Sequence, residues 1–305
     1  MVLFDNKYTI FKLLGDNKMI KLTGDSSIDL TKELIEKNEI SVLPFNILMN
    51  NVEYLDGVNI NNDMIVENFA KNKTLPKTSA VSIENYKDFF RPFVENGDEV
   101  IHFSISSTMS CSYDNAVHAS EEFGGKVTII DGRSLSTGTA LLMLYAHDLI
   151  KQGYKYNEII EKVKKRIPYV QASFVIDKLN FLYKGGRCSS LQLLGANILG
   201  IKPSIEVKDG KMGMAKKYMG KLNKVVEKYV VETLNKFNNP DLTRVFITYS
   251  TIEDDVLETV KKTLEANSNF KEVLITQAGS TVMSHCGPNT IGILYINDGG
   301  ENGLN

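Results

Sequence analysis

Short apolar runs alternate with stretches of helical spacing along most of the chain. Met19–Leu22 reads as a strand, and Thr23–Leu30 turns into a helix carrying Leu30, Leu34 and Ile35, capped by Asp29 or Ser27. Ile40–Leu48 is a further strand, followed by an Asn50-Asn51 turn and a second short strand. Asn61 or Asn62 caps a helix with Met64, Ile65 and Phe69. Ser82 caps another with Tyr86, Phe89, Phe90 and Phe93, an aromatic stripe whose spacing marks a core face. Val100–Ile105 and Val127–Asp131 are strands, and Gly132–Gly138 leads into a long apolar helix reaching Ile150. Asn157–Arg166 is charged and amphipathic. This alternation predicts a parallel sheet with helices on both faces.

The stretch from Phe174 to Lys211 is organised differently. An apolar start leads into a short helical pattern at Leu179, Phe181 and Leu182, which Gly185-Gly186 stops. Arg187 follows on a loop. Ser189 or Ser190 can cap a second helix through Asn197, with Leu191, Leu194 and Ile198 on one face. Ile201-Lys202-Pro203 breaks it, Ile205 and Val207 lie on a strand, and Asp209-Gly210 turns the chain. Leu222–Phe237 and Asp254–Ala266 are helical, while Val245–Tyr249, Val273–Ile275 and Ile293–Ile296 are strands.

At 305 residues the chain is long for one core, which favours two domains, with the boundary placed at Pro168. A net charge of -2, with no basic run interleaved with aromatics, gives no nucleic-acid footprint. Cys111, Cys188 and Cys286 cannot all pair and form no CxxC, which fits reduced thiols in a cytoplasmic protein. No cluster has metal-ligand spacing, no signal peptide is legible, and the longest apolar run is too short to span a bilayer.

Several segments carry small polar residues where a strand meets a helix. Thr78, Ser79 and Ser82 follow Pro76, and Ser110 follows the strand ending at Ile105. Free N–H groups at a helix start favour an anion, although a serine in such a place is also an ordinary cap. Taken in order, these segments resemble a known family. The run Phe174 to Arg187 (FVIDKLNFLYKGGR), Leu199–Pro203 and Asp209-Gly210 are similar to the signature of the DegV family of bacterial fatty-acid-binding proteins. That family includes the acyl-presenting subunits of fatty acid kinase. Asp25-Ser26 with Asp29-Leu30, Tyr54 with Asp56-Gly57-Val58, and His285 with Gly287-Pro288 and Gly292 also match. Gly24, Ala80, Val81, Met109, Cys111, Ser112 and Asn289 depart from the pattern. Met1–Lys18 is extra relative to the family's usual start; an added strand, a partner-packing segment and a mis-assigned start all fit.

The resemblance implies an α/β protein of two domains, 1–168 and 169–305, the first built on a mostly parallel sheet and the second α+β. It implies an apolar tunnel between them for one long-chain fatty acid, with no cofactor, no metal and no catalytic residue. Thr78 and Ser110 would hold the carboxylate by donating to it, with Ser79 and His285 close to the same head and Cys111 at the edge. His285 would tune the site near neutral pH. Arg187 would lie outside the tunnel and engage a kinase subunit. Two rival readings are a serine hydrolase using Ser110, His285 and Asp25, and a binder of another small anion. No G-x-S-x-G elbow supports the hydrolase.

Overall fold

The computed structural model describes residues 19–177, 179–188 and 200–300. The expectations for Met1–Lys18 and for a helix from Ser189 or Ser190 to Asn197 lie outside the described residues. Four parallel strands, β1 (Ile20–Asp25), β2 (Ser41–Leu43), β6 (Glu99–Ser104) and β7 (Val127–Asp131), form a sheet of order β2-β1-β6-β7. Covered on both faces, β6 is buried from Val100 to Ser104, His102 and Ser104 included. Parallel strands bring their C-terminal ends to one edge. The chain order reverses between β1 and β6, the place where such sheets open a crevice.

A second sheet holds β8 (Val170–Ile176), β9 (Ile201–Lys208), β10 (Lys211–Met219), β11 (Arg244–Tyr249), β12 (Glu272–Gln277) and β13 (Thr290–Ile296), in the order β10-β9-β8-β13-β11-β12. Only the β11–β12 pair is parallel among these. Helix α5 (Thr137–Lys151) lies between the two sheets. It packs with Leu22, Ile101 and Phe103 of the first sheet and Ala172, Phe246 and Leu294 of the second. A helix enclosed in this way has no solvent face, so Ala140 to Ala146 carry no charge. Helices α8 (Leu222–Lys236) and α9 (Asp254–Asn267) bury Val226, Tyr229, Val260 and Leu264 on the far face.

A small third sheet, β4-β3-β5, joins β3 (Asn46–Met49), β4 (Val52–Leu55) and β5 (Lys77–Ser79). Asn50 and Asn51 both take positive φ, 53° and 64°, in the tight turn the sequence predicts. Asn61 caps α2 (Asn62–Asn72) and Ser82 caps α3 (Ile83–Glu95), whose Tyr86 and Phe90 are fully buried. Several expectations change. The strand expected over Ile40–Leu48 is two strands in different sheets, separated at Pro44-Phe45, where proline supplies no ladder donor. The first helix, α1 (Lys32–Lys37), is capped by Thr31, because the Asp29 carboxyl is used elsewhere. Thr78 and Ser79 lie on β5, held by pairing with β3. Pro203 lies inside β9, at a position beyond the β8 pairing and opposite Lys217 of the edge strand β10. The long edge strand β10 and the short helix α10 (Ser280–Cys286) have no counterpart in the sequence reading.

Candidate functional site

The site is assembled around α10. Its first turn is gripped by two carboxyls that follow β1 and β4. Asp29 accepts from the Gly279 amide (2.7 Å) and from the Ser136 hydroxyl, and Asp56 accepts from the Ser280 amide (2.8 Å) and the Ser26 hydroxyl (2.9 Å). Asn62 adds a bond from its side-chain amide to the Ala278 carbonyl (2.8 Å). Burial pushes the Asp29 carboxyl up to about 8, with the Asp56 charge adding to it against the Ser136 and Gly279 donors. It therefore carries a proton at neutral pH. These are the aspartates of the two short N-terminal motifs, and their task is to fix the helix that carries His285.

His285 faces a cavity of about 70 Å³ among the described residues. Phe45, Ile105, Met109, Leu135 and Met212 form apolar walls; Thr78, Ser110, Thr281 and His285 supply polar groups. Three segments far apart in sequence, around Thr78, Ser110 and His285, thus meet on one space. One side is closed by the β9–β10 turn, whose Gly210 carbonyl accepts from the Ser106 hydroxyl (2.8 Å).

The Thr78 hydroxyl and His285 Nε2 lie 2.8 Å apart. His285 Nδ1 is sealed from solvent without a partner. A buried N–H with no acceptor costs more than an unused lone pair, so the proton belongs on Nε2, which donates to Thr78. The Thr78 hydrogen is then free for the cavity. Gly185, at the end of α7 (Asn180–Gly185), makes this placement possible, since a Cβ there would sit 2.7 Å from His285 Nδ1. Burial pushes the His285 imidazole down to about 4, helped by the Arg187 charge. The residue is neutral across the physiological range, so the expected tuning near neutral pH does not occur.

Ser110 is wired differently. Its Oγ donates to Ser112 Oγ (3.0 Å) and accepts from the Ser112 amide (3.2 Å) at the start of α4 (Ser112–Ser120). Ser112 is fully buried and accepts from the Val81 amide (3.3 Å). Tyr86 donates to Asp25 (2.6 Å), which also takes the Ser104 hydroxyl (2.8 Å) and the Ile105 amide (3.0 Å) and faces His102 Nε2 at 3.4 Å. Burial alone would raise the Asp25 carboxyl, but His102, Tyr86 and the Ile105 amide hold it below its ordinary value.

Ser79 is exposed and contributes to the rim. Arg187 is exposed as well, but its guanidinium lines the same cavity and donates to the Gly185 carbonyl (2.7 Å), so it stands at the mouth rather than away from it. Cys111 is exposed and is not among the lining residues; Cys286 lines the wall instead, its thiol pushed up to about 12 by burial. Sequence reading missed Ser112 and Thr281. The Thr281 hydroxyl, one turn before His285, is buried without a partner. No triad is assembled: Asp25 is spent on Tyr86, Ser104 and Ile105, and His285 Nε2 on Thr78.

Fold and site together define an α/β protein with a polar-mouthed apolar cavity between a parallel and a mixed sheet. The chain belongs to the DegV family, whose members are described as uncharacterised proteins; the match covers residues 19–298. A DegV domain-containing protein of Clostridium perfringens is 31% identical over 280 residues, covering 92% of this chain and 99% of the relative. A fatty-acid-binding DegV family protein from Thermus thermophilus superposes with a TM-score of 0.85 at 25% identity, covering 92% of this chain and 99% of that one. A stearic acid-binding protein from Eubacterium ventriosum gives 0.80 at 27% identity, over 92% and 98%. No helix among the described residues is long and apolar enough to cross a membrane.

Proposed function

We propose that this protein binds one long-chain fatty acid and presents its head group to a fatty acid kinase, which forms the acyl phosphate. The acyl chain occupies an apolar sleeve between a unit of residues 1–168 and one of 169–305. The head group sits against Thr78, Ser110 and His285, with Ser79 at the rim. The observation that carries this reading is the meeting of those three segments on one cavity whose other walls are largely apolar, formed by Phe45, Ile105, Met109, Leu135 and Met212. Each methylene buried in such walls contributes roughly 0.8 kcal/mol. Solved relatives described as fatty-acid-binding and stearic acid-binding support the ligand class.

Native mass spectrometry of protein purified from cells tests the ligand: a co-purified fatty acid is expected, and its absence counts against the reading. Thr78→Val should weaken binding by about 1–3 kcal/mol, as loss of a hydrogen bond to a carboxyl group does. Displacement of a fluorescent fatty acid measures this, and an unchanged affinity removes Thr78 from the head-group site.

The partner reading rests on Arg187, an exposed guanidinium at the cavity mouth. Its planar fork suits an acidic or phosphate-bearing surface. Arg187→Ala is expected to leave fatty-acid affinity within about 0.5 kcal/mol, as for a surface change, while acyl phosphate formation with the kinase falls sharply. A large drop in melting temperature with unchanged transfer would instead assign Arg187 to capping α7 through Gly185.

A further inference from the structure

One buried hydroxyl in the cavity wall has no partner. Thr281 lies in the first turn of α10 and is 6% exposed; its Oγ1 is closed to solvent and bonds nothing among the described residues. A hydroxyl on a helix commonly gives its hydrogen to the carbonyl four residues back. Ser284 of the same helix does so with the Ser280 carbonyl (2.7 Å), and Thr259 of α9 with the Asp255 carbonyl (2.7 Å). Four residues before Thr281 is Gln277, the last residue of β12, so no helical carbonyl stands in that place. Buried hydroxyls left unpaired in this way are uncommon and costly.

Its place on the helix indicates what completes it. Thr281, Val282, His285 and Cys286 of α10 line the cavity. At about 3.6 residues per turn, residues four apart lie one above the other. The lined face is therefore two columns: Thr281 with His285, and Val282 with Cys286. One column is polar and the other apolar, so an amphiphile laid against them has its head on the first and its methylenes on the second. His285 Nε2 is already engaged by Thr78 at 2.8 Å, which leaves Thr281 as the polar member with a hydrogen to give. Given the fatty-acid reading on which this rests, we infer that Thr281 is a head-group residue, its hydroxyl donating to one carboxylate oxygen while Thr78 serves the other. A carboxylate has about four acceptor positions, enough for both and for Arg187 at the mouth. No bond fixes the Thr281 rotamer, so turning its hydroxyl to a ligand breaks nothing. The charged and titratable groups around the head are His285 and Cys286 on α10, Arg187 beyond α7, and Asp29 and Asp56, which hold the Gly279 and Ser280 amides at the helix start.

The test is binding of carboxyl-13C-labelled hexadecanoic acid to the full chain. Thr281→Val keeps the shape of the side chain and removes its hydroxyl. Affinity at neutral pH is expected to fall about tenfold, as for loss of a hydrogen bond to a charged group. A donor to the ionised form also lowers the pKa of the acid it holds. The bound carboxyl resonance should therefore titrate higher in the variant, by up to about one pH unit. His285, Arg187, Asp29 and Asp56 are common to both proteins and cancel in that comparison. Thr281→Ser returns the hydroxyl and should restore affinity and titration midpoint together. If Thr281→Val does not fold, Thr281→Ala takes its place, with the midpoint as the deciding readout. A fall in affinity with an unmoved midpoint would assign the hydroxyl to the packing of α10 and overturn the inference. An affinity equal to that of the wild type would overturn it too, since the hydroxyl would then meet only water. Absence of any bound resonance in the wild type defeats the fatty-acid reading itself, and this inference with it.

Discussion

Replacing Arg166 by methionine should destabilise the fold by about 3–5 kcal/mol, the usual cost of removing one partner from a buried ion pair. Arg166 ends α6 (Tyr156–Arg166) and is 1% exposed. Its Nε and one Nη donate to Asp298 (2.7 Å each), and the same Nη reaches Asp241 (2.7 Å). Its guanidinium also lies 4.6 Å from the ring centre of Tyr145 on α5. The side chain ties the end of α6 to the chain beyond β13 and the chain before β11. Methionine fills much of the space but strands two carboxylates, one of them 4% exposed. Urea unfolding monitored by circular dichroism measures the loss. Arg166→Lys keeps a charge but not the fork, so it should recover only part of it. A midpoint unchanged in Arg166→Met would mean that the two carboxylates are already compensated by other donors.

The second large effect is on stability against pH. In the fold Asp29 titrates at about 8 against an ordinary 3.8, so the folded chain holds a proton that the unfolded chain has lost between those values. Stability from this group falls as pH rises through that window and is gone above about 8. His285 runs the other way. It titrates at about 4 against an ordinary 6.5, so its contribution is complete above 6.5 and is lost as pH falls towards 4. Between about 4 and 6.5 the two slopes oppose each other. From 6.5 to about 8 Asp29 acts alone, and stability should fall by up to about 1.4 kcal/mol per pH unit. Asp29→Asn is close to isosteric and cannot titrate, and its carbonyl can still accept from Gly279. Unfolding midpoints for this variant should be flat over the alkaline limb. The same slope in variant and wild type would show that the proton is bound elsewhere.

Much of the architecture is legible along the chain because its causes are local. Ser82 and Asn61 cap the helices they precede, since a cap needs a side-chain oxygen and an amide three residues on. The Asn50-Asn51 turn and the Gly186 helix stop need only residues that tolerate positive φ. The Tyr86 and Phe90 stripe is core, as its spacing predicts. The helix around His285 was hidden for the converse reason. α10 has seven residues, too few for a period, and its start is held by Asp29 and Asp56, 250 and 224 positions away. Likewise β5 exists through β3, and Thr78 meets His285 across 207 positions.

The sequence by itself determined the alternation of strands and helices, the tight turns and the family, because each rests on residues near one another or on motifs read in order. It also singled out Thr78, Ser110 and His285. It did not determine what these residues offer a ligand. A hydroxyl is donor or acceptor according to where its one hydrogen goes, and that depends on partners brought from remote segments. Only the tertiary structure set His285 Nε2 behind the Thr78 hydroxyl, across 207 positions.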